Sequence, residues 1–159
     1  MCLIVDANVA SLVFAPTGTN DFAPVHRALV RLETTACHGG KLTREYVVLG
    51  SLLRVLREFD RKGSLRKIPD ADVDRAEHMV VREGRCRSND PHIIALARVS
   101  GVRLLCSHDQ DLHSDFTDPA ILSPRGSVYQ KRHHRHLIRR CCRNCKRLWC
   151  QSPARGRTR

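Results

Sequence analysis

The chain opens with the stretch Cys2-Leu3-Ile4-Val5-Asp6-Ala7-Asn8, in which four apolar residues are followed at once by an acid. A short apolar run without alternation is typical of a strand that is buried on both faces of a parallel sheet. An acid at the carboxyl end of such a strand points into the crevice where parallel sheets bind their ligands. Residues 102–106, apolar apart from Arg103, resemble a second buried strand, and the polar residues Ser107-His108-Asp109-Gln110-Asp111 follow them. The two runs predict buried strands that are each followed by acids.

Helical periodicity fills most of the chain between and after these strands. Apolar residues recur at helical spacing, and Asp, Pro and Gly residues mark the starts and stops. We predict helices over residues 23–37, 42–60 and 69–81, one from Pro91 to just before Gly101, a short one ending at Phe116, and a last strand over residues 120–122. The order β-α-α-α-α-β-α-β predicts an α/β fold with three α/β/α layers around a central parallel sheet.

The positive charge of the chain is concentrated in its C-terminal part. The 159 residues carry a formal net charge of +12. Residues 1–123 hold 16 basic and 16 acidic residues, whereas residues 124–159 hold 12 basic residues and no acid. We therefore predict one neutral domain over residues 1–130, followed by a basic, Cys- and His-rich, flexible tail over residues 131–159.

The sequence predicts neither a membrane span nor a secretory signal. The longest uncharged run, residues 7–20, is 14 residues long and contains Pro16 and Gly18, whereas a spanning helix needs about 18. The N-terminus lacks a basic region, and its apolar stretch is too short for a signal peptide. These features predict a cytoplasmic protein without a membrane partner, in which cysteines stay reduced.

Several acids fall where strands end or helices begin. Each has an ordinary structural explanation: Asp90 is a natural helix N-cap, Glu45 suits a helix dipole, and Asp109 and Asp111 are typical loop acids. Together with Asp6 they suggest a cluster, and clustered carboxylates bind hard divalent cations because a metal compensates their charge. A site with only oxygen ligands suits Mg²⁺ or Mn²⁺.

Four segments that contain these acids resemble the signature segments of the PIN-domain nucleases. They are Leu3-Ile4-Val5-Asp6-Ala7-Asn8, Thr43-Arg44-Glu45-Tyr46, Asn89-Asp90-Pro91-His92-Ile93-Ile94-Ala95-Leu96-Ala97, and Gly101-Val102-Arg103-Leu104-Leu105-Cys106-Ser107-His108-Asp109-Gln110-Asp111-Leu112. The segment Pro124-Arg125-Gly126-Ser127-Val128-Tyr129-Gln130 is similar to the end of many bacterial and archaeal PIN proteins, including toxins of toxin–antitoxin pairs. The resemblance covers the chain from its first residues to about Gln130, and such motifs gain weight from their structural context.

The resemblance implies a metal-dependent endoribonuclease that uses Mg²⁺ or Mn²⁺. It assigns catalysis to the quartet Asp6, Glu45, Asp90 and Asp109, the metal to Asp6, Asp90 and Asp109, and supporting positions to Asn8, Ser107 and Asp111. The chain departs from the family pattern at His108, where an amide usually precedes the last aspartate, and this change affects the hydrogen bonds around the site. The resemblance also implies an antitoxin partner and a homodimer.

Other residues near these segments have open interpretations. Arg44 and Arg54 could contact the RNA backbone, or they could form a solvated helix face. His92 and His108 could act as general acids, but packing or surface roles are more usual for single histidines. Aromatic residues make up only 4% of the chain, so RNA binding would depend on charge and shape more than on base stacking.

The predicted tail has two interpretations of its own. Its basic residues, with Arg132, Arg139 and Arg140 as candidate RNA contacts, could strengthen RNA association by releasing counterions, or they could form a disordered extension. Cys142 and Cys145 have a zinc-ligand spacing that Cys150 could complete, but no second motif accompanies it. The sequence therefore favours reduced thiols over a zinc site.

Two other functional classes compete with the nuclease. One is a non-catalytic RNA-binding module with a PIN fold, against which the presence of all four acids argues. The other is a phosphoryl-accepting receiver domain, which would need a lysine at the end of a late strand. No lysine occurs between Lys67 and Lys131, and this disfavours the receiver domain.

Overall fold

A five-stranded, all-parallel sheet forms the centre of the protein. The computed structural model describes residues 2–139. The strands are β1 (Cys2–Val5), β2 (Thr35–His38), β3 (Leu65–Lys67), β4 (Leu104–Cys106) and β5 (Ser127–Tyr129), and they lie side by side in the order β3-β2-β1-β4-β5. All four neighbouring pairs are parallel. The predicted α/β class with a parallel sheet is thus confirmed.

Helices connect every strand to the next. They are α1 (Ala10–Phe14), α2 (Ala23–Val30), α3 (Lys41–Val48), α4 (Leu53–Lys62), α5 (Asp70–Glu83), α6 (Pro91–Ser100) and α7 (Gln110–Thr117), with 3₁₀ segments at Ala7–Val9, Gly50–Leu52 and Arg132–Arg139. Helices α5 and α6 pack on each other, while α2 packs on α1 and on the last 3₁₀ segment. Right-handed crossovers bring helices to both faces of a parallel sheet, and the arrangement is consistent with three α/β/α layers.

The strand order reverses direction between β1 and β4. From β1 the chain builds outward through β2 to β3 at one edge, then crosses back to β4 and continues to β5 at the other edge. In an open parallel sheet, loops diverge at such a switch point and leave a crevice at the carboxyl ends of the strands. Asp6 follows β1 and Ser107 follows β4, so both lie at this crevice.

The two predicted strands β1 and β4 form the buried middle of the sheet. Every residue of β1 is fully buried, and every residue of β4 is 3% exposed or less. The two strands are neighbours in the sheet, and Ile4 pairs with Leu105 and Val5 with Cys106. Strands β1 and β4 are apolar along their whole length because both of their faces are covered, as the sequence predicts.

The sequence analysis missed β2 because it extended the preceding helix to residue 37. Helix α2 instead ends at Val30, and Leu32 adopts a left-handed conformation with φ of 59°. The Glu33 amide then donates to the Ala28 carbonyl, which closes the helix end. Glycine normally marks such a helix end, so a leucine there gave no signal. The following Thr35–His38 segment pairs with β1.

The predicted helix over residues 42–60 is two helices in the structure. Helix α3 ends at Val48, a 3₁₀ segment covers Gly50–Leu52, and α4 begins at Leu53. The apolar periodicity continues across the break and conceals it. Strand β3 was also missed, since it has only three residues, of which two are Arg66 and Lys67. Charged residues are common on edge strands because they prevent edge-to-edge association.

The predicted strand over residues 120–122 is wrong. Those residues belong to a turn in which the Asp118 side chain accepts from the Ala120 amide, and the Asp118 carbonyl accepts from the amides of Ile121 and Leu122. Ile121 and Leu122 are buried within this turn, which explains their apolar character. The last strand lies further along, at Ser127–Tyr129.

The packed part of the chain extends beyond the predicted domain end at residue 130. Arg132–Arg139 form a 3₁₀ helix against α2, and its Leu137 and Ile138 are buried. The rest of the predicted tail, residues 140–159, lies outside the described residues. Within residues 2–139, none of the helices combines the length and apolar character needed to cross a membrane.

Candidate functional site

Asp6 and Ser107 connect the carboxyl ends of the two central strands. The Ser107 hydroxyl donates to Asp6 Oδ2 over 2.7 Å and accepts from the Asp109 amide over 3.0 Å. The Asn8 side-chain amide also donates to this hydroxyl, over 3.3 Å. Both Asp6 and Ser107 are buried. A single hydroxyl therefore fixes the position of Asp6 relative to the loop that carries Asp109.

Asp109 both caps a helix and faces the other acids. Its Oδ1 accepts from the Leu112 amide over 3.0 Å at the start of α7. The sequence suggests an ordinary loop acid here, whereas one oxygen of Asp109 caps the helix. Its charge also raises the pKa of Asp90. Asp109 therefore caps the helix and acts on the other acids at the same time.

Glu45 reaches the site from helix α3. The neighbouring Tyr46 is buried, and its hydroxyl donates to the Val5 carbonyl at the end of β1 over 2.5 Å. The helix begins after Gly40, whose φ is 58° and where an added Cβ would lie 2.8 Å from a Val73 methyl carbon. Only glycine tolerates this combination, and it lets the start of α3 lie against Val73 of α5.

Asp90 lies at the start of helix α6 but does not cap it. Its backbone occupies the N-cap position, yet its side chain makes no capping hydrogen bond. The loop before it is held by Asp115, which is 1% exposed and accepts from the amides of Arg87 and Ser88 over 2.9–3.0 Å. The capping explanation of Asp90 therefore fails, and its carboxylate remains available to the site.

The four acids of the predicted quartet influence one another electrostatically. Burial raises the pKa of Asp6 above its ordinary value, and the charges of Asp90 and Glu45 add to this rise, while the Ser107 hydrogen bond opposes it. Burial also raises the pKa of Asp90, with the charges of Glu45 and Asp109 acting in the same direction. Like charges near one another disfavour ionisation. The charges therefore connect Asp6 with Asp90 and Glu45, and Asp90 with Asp109. Among residues 2–139, the group with ligand atoms within 4.8 Å of one another consists of Glu45, Asp90 and His92.

A histidine and a lysine accompany the acids. His92 is 1% exposed, and its Nε2 lies 3.2 Å from Glu45 Oε2. Lys41 Nζ lies 3.8 Å from Glu45 Oε1. Burial pushes the pKa of Glu45 upward, but the hydrogen bond and charge of His92 and the charge of Lys41 outweigh burial and leave it below its ordinary value. Glu45 therefore stays ionised among the acids.

Sequence reasoning did not single out Lys41, and it treated His92 as a packing residue. Lys41 stands four residues before Glu45 in a helix, a spacing that places both side chains on one face and that could have been noticed. His92 lies in the apolar face of α6, where a lone histidine is usually a core residue. No feature of the sequence distinguishes His92 from an ordinary core histidine.

Two further residues, which the sequence pattern did not indicate, hold the loop after β4 in place. The His113 ring donates through Nε2 to the Ser107 carbonyl over 2.8 Å, and its Nδ1 accepts from the Gln130 side-chain amide over 2.6 Å. This chain of hydrogen bonds connects β5 and α7 to the loop after β4. It fixes the backbone of Ser107 just as the hydroxyl of Ser107 fixes Asp6.

The remaining predicted residues lie outside the cluster. Asp111 is exposed in the first turn of α7, and the His108 ring packs on Phe22 at a centroid distance of 5.3 Å. Arg44 pairs with Asp74 over 3.1 Å at the surface. Arg132 donates to the Asn20 carbonyl, and Arg139 is exposed. Arg140 and the cysteines Cys142, Cys145 and Cys150 lie outside the described residues.

The chain was compared with family models, with curated proteins and with solved structures. None of the three comparisons finds a match.

Proposed function

We propose that this protein is a metal-dependent endoribonuclease of the PIN type. The observation that supports the proposal is a set of electrostatically coupled acids near the switch point of a parallel sheet, in which Glu45 and Asp90 lie with His92 in one compact group. Burial and mutual repulsion make such a cluster unfavourable by itself. A divalent cation would compensate that cost, which is the usual reason for a fold to keep clustered acids.

The residues present fit a divalent metal. Asp6 uses Oδ2 for Ser107 and Asp109 uses Oδ1 for the Leu112 amide, so each has a second oxygen to offer. Asp90 makes no capping hydrogen bond. Asp6, Asp90 and Asp109 would hold the cation, and Mg²⁺ and Mn²⁺ are the ions that such oxygen donors suit. A bound cation would neutralise the scissile phosphate and lower the pKa of a water molecule.

The chain's own residues define the other requirements of hydrolysis. The Ser107 hydroxyl holds Asp6 by donating to it, and the Asn8 side chain in turn donates to that hydroxyl. Glu45 carries a negative charge, because His92 and Lys41 lower its pKa, and its carboxylate can accept a hydrogen bond that orients an attacking water. Lys41 places a positive charge beside Glu45, where it would attract an RNA phosphate.

The substrate and partners of this proposal follow from the resemblance and from charge. A basic segment beyond residue 124 favours a polyanion, and RNA is the substrate class of the resembling nucleases. As in toxins of toxin–antitoxin pairs, an antitoxin would cover the acidic crevice, and the nuclease would act in the cytoplasm as a homodimer.

Metal dependence of RNA cleavage tests the proposal. The purified full chain is incubated with a mixed pool of structured RNAs and with Mg²⁺, Mn²⁺ or EDTA. We expect discrete cuts with either metal and none with EDTA. RNA binding without cutting under every condition would contradict the nuclease and favour the non-catalytic RNA-binding module.

A further inference from the structure

A buried nitrogen atom faces the acidic cluster without a partner. His92 is 1% exposed, and its Nδ1 has no hydrogen-bond partner among residues 2–139. The carboxylate oxygen Asp90 Oδ1 lies 3.9 Å from this nitrogen. That separation is too long for a hydrogen bond. Buried polar atoms in folded proteins are normally paired, so an unpaired one needs an explanation.

The tautomer of His92 follows from its other nitrogen. Nε2 lies 3.2 Å from Glu45 Oε2, and an ionised carboxylate can only accept a hydrogen bond. In its neutral form the ring therefore carries its proton on Nε2, and the lone pair is on Nδ1. A carboxylate that holds one ring nitrogen while the other faces a site is the usual arrangement around metal-ligating histidines.

The distance between the two facing atoms suits a shared cation. One ligand atom from each of Glu45, Asp90 and His92 lies within 4.8 Å of the others. Two ligands at about 2.0–2.2 Å from one ion are separated by up to about 4.4 Å, depending on the angle. The 3.9 Å between His92 Nδ1 and Asp90 Oδ1 falls inside this limit.

We propose that His92 Nδ1 is a ligand of the metal in this site, which therefore favours a first-row transition-metal cation such as Mn²⁺ over Mg²⁺. Imidazole nitrogen is a poor ligand for Mg²⁺, which prefers oxygen, whereas transition-metal cations accept both. Glu45 acts through its hydrogen bond as a positioning residue for the ring. The inference deepens the proposed function, because it concerns the metal of the same acidic cluster.

Metal titrations of the wild type and of His92→Gln test this assignment. The glutamine amide can still donate to Glu45 but has no atom in the place of Nδ1. We expect the Kd for Mn²⁺ to rise at least about tenfold and the Kd for Mg²⁺ to change by less than about threefold. The control is His78→Gln, because His78 is an exposed residue of α5, and it should leave both constants unchanged.

A spectroscopic measurement on the wild type gives an answer that does not depend on the variant folding. Electron spin-echo spectra of bound Mn²⁺ should show coupling to a ¹⁴N nucleus, and His92→Gln should lose it while His78→Gln keeps it. Bound Mn²⁺ without nitrogen coupling, or an unchanged Mn²⁺-to-Mg²⁺ affinity ratio in His92→Gln, would overturn the nitrogen ligand. The nuclease would survive that result if cleavage still required a metal. Failure of every divalent cation to bind would overturn both.

Discussion

At the scale of single residues, the acids of the site work against the stability of the fold. Asp6 and Asp90 both have raised pKa values because burial and neighbouring charges disfavour their ionised forms. Ionisation at neutral pH therefore costs folding free energy in the metal-free protein. The stability of the metal-free fold therefore does not explain these acids, whereas the proposed metal site would.

Neutralising Asp90 should stabilise the metal-free protein at neutral pH. Because the folded-state pKa is raised above the ordinary 3.8, the favourable contribution of the protonated acid is fully present below that value and is lost as the pH rises through the folded pKa. Asp90→Asn stays neutral at every pH. In EDTA we expect it to raise Tm at neutral pH and to have little effect near pH 4.

The matched control for that measurement is Asp118→Asn. Asp118 lies at the opposite end of α7 from Asp109, and asparagine can still accept from the Ala120 amide. Its effect on Tm should not depend on pH in this way. A lower Tm for Asp90→Asn than for the wild type at neutral pH would show that Asp90 stabilises the metal-free fold.

Single residues also show how far the sequence could go. Asp6 and Asp109 were identifiable because each follows an apolar strand, and strand ends are visible as changes from apolar to polar residues. His92 was not identifiable as a site residue. His92 and Glu45 lie on different helices and are 47 positions apart in the chain. A pattern of neighbouring residues carries no information about such a contact.

At the scale of elements, the site depends on loops that are held by buried side chains elsewhere. Asp115 in α7 accepts three hydrogen bonds from the backbone of Arg87 and Ser88, just before Asp90. It is therefore an acid of the scaffold, distinct from the cluster. The sequence analysis passed over it because it lies inside a helix, where acids are usually exposed.

Removing the Asp115 carboxylate should destabilise the protein and displace the loop that carries Asp90. Asp115→Ala leaves two backbone amides without their charged acceptor, and hydrogen bonds to charged groups contribute about 1.5–3 kcal/mol each. We expect a loss of at least about 2 kcal/mol in urea unfolding. Ser114→Ala on the exposed side of the same helix should change stability by less than about 0.5 kcal/mol. Equal effects of the two substitutions would contradict the scaffold role.

Element boundaries were predictable where residue chemistry marks them. Helices α5 and α6 were placed well, since Asp70 and Pro91 mark their starts and Gly84 and Gly101 follow their ends. Strand β2 was missed because α2 is closed by a leucine in a left-handed conformation. Long-range pairing with β1 decides that segment, and the local sequence does not reveal such pairing.

At the scale of the whole molecule, the net positive charge lies in a different part of the chain from the acidic cluster and most of the sheet. The neutral part supplies the sheet and the acidic cluster, while residues 124–159 contain 12 basic residues and no acid. The packed structure continues to Arg139. A deletion that tests the basic tail must therefore begin after Arg139, because removing Leu137 and Ile138 would open the core.

Deleting residues 140–159 should weaken RNA binding without unfolding the protein. The deletion removes seven Arg and Lys residues. The slope of log K against log salt concentration should decrease by about 0.7 for each lost contact to a single-stranded RNA phosphate. Binding is measured in the Asp6→Asn background to prevent cleavage. A full-length chain with the same seven residues changed to glutamine should behave like the deletion, and an unchanged slope would exclude the tail from RNA binding.

The most direct test of the central claim is the single-turnover RNA cleavage rate of Asp6→Asn and Asp90→Asn in Mg²⁺ or Mn²⁺. Asparagine preserves the size of each side chain but removes an anionic ligand, and metal-ion catalysis contributes several kcal/mol at about 1.4 kcal/mol per tenfold in rate. We predict that both variants lose at least about 100-fold in rate while keeping native circular dichroism spectra. Asp118→Asn should cleave like the wild type. Wild-type rates in either site variant would contradict the assignment of the acidic cluster as the active site.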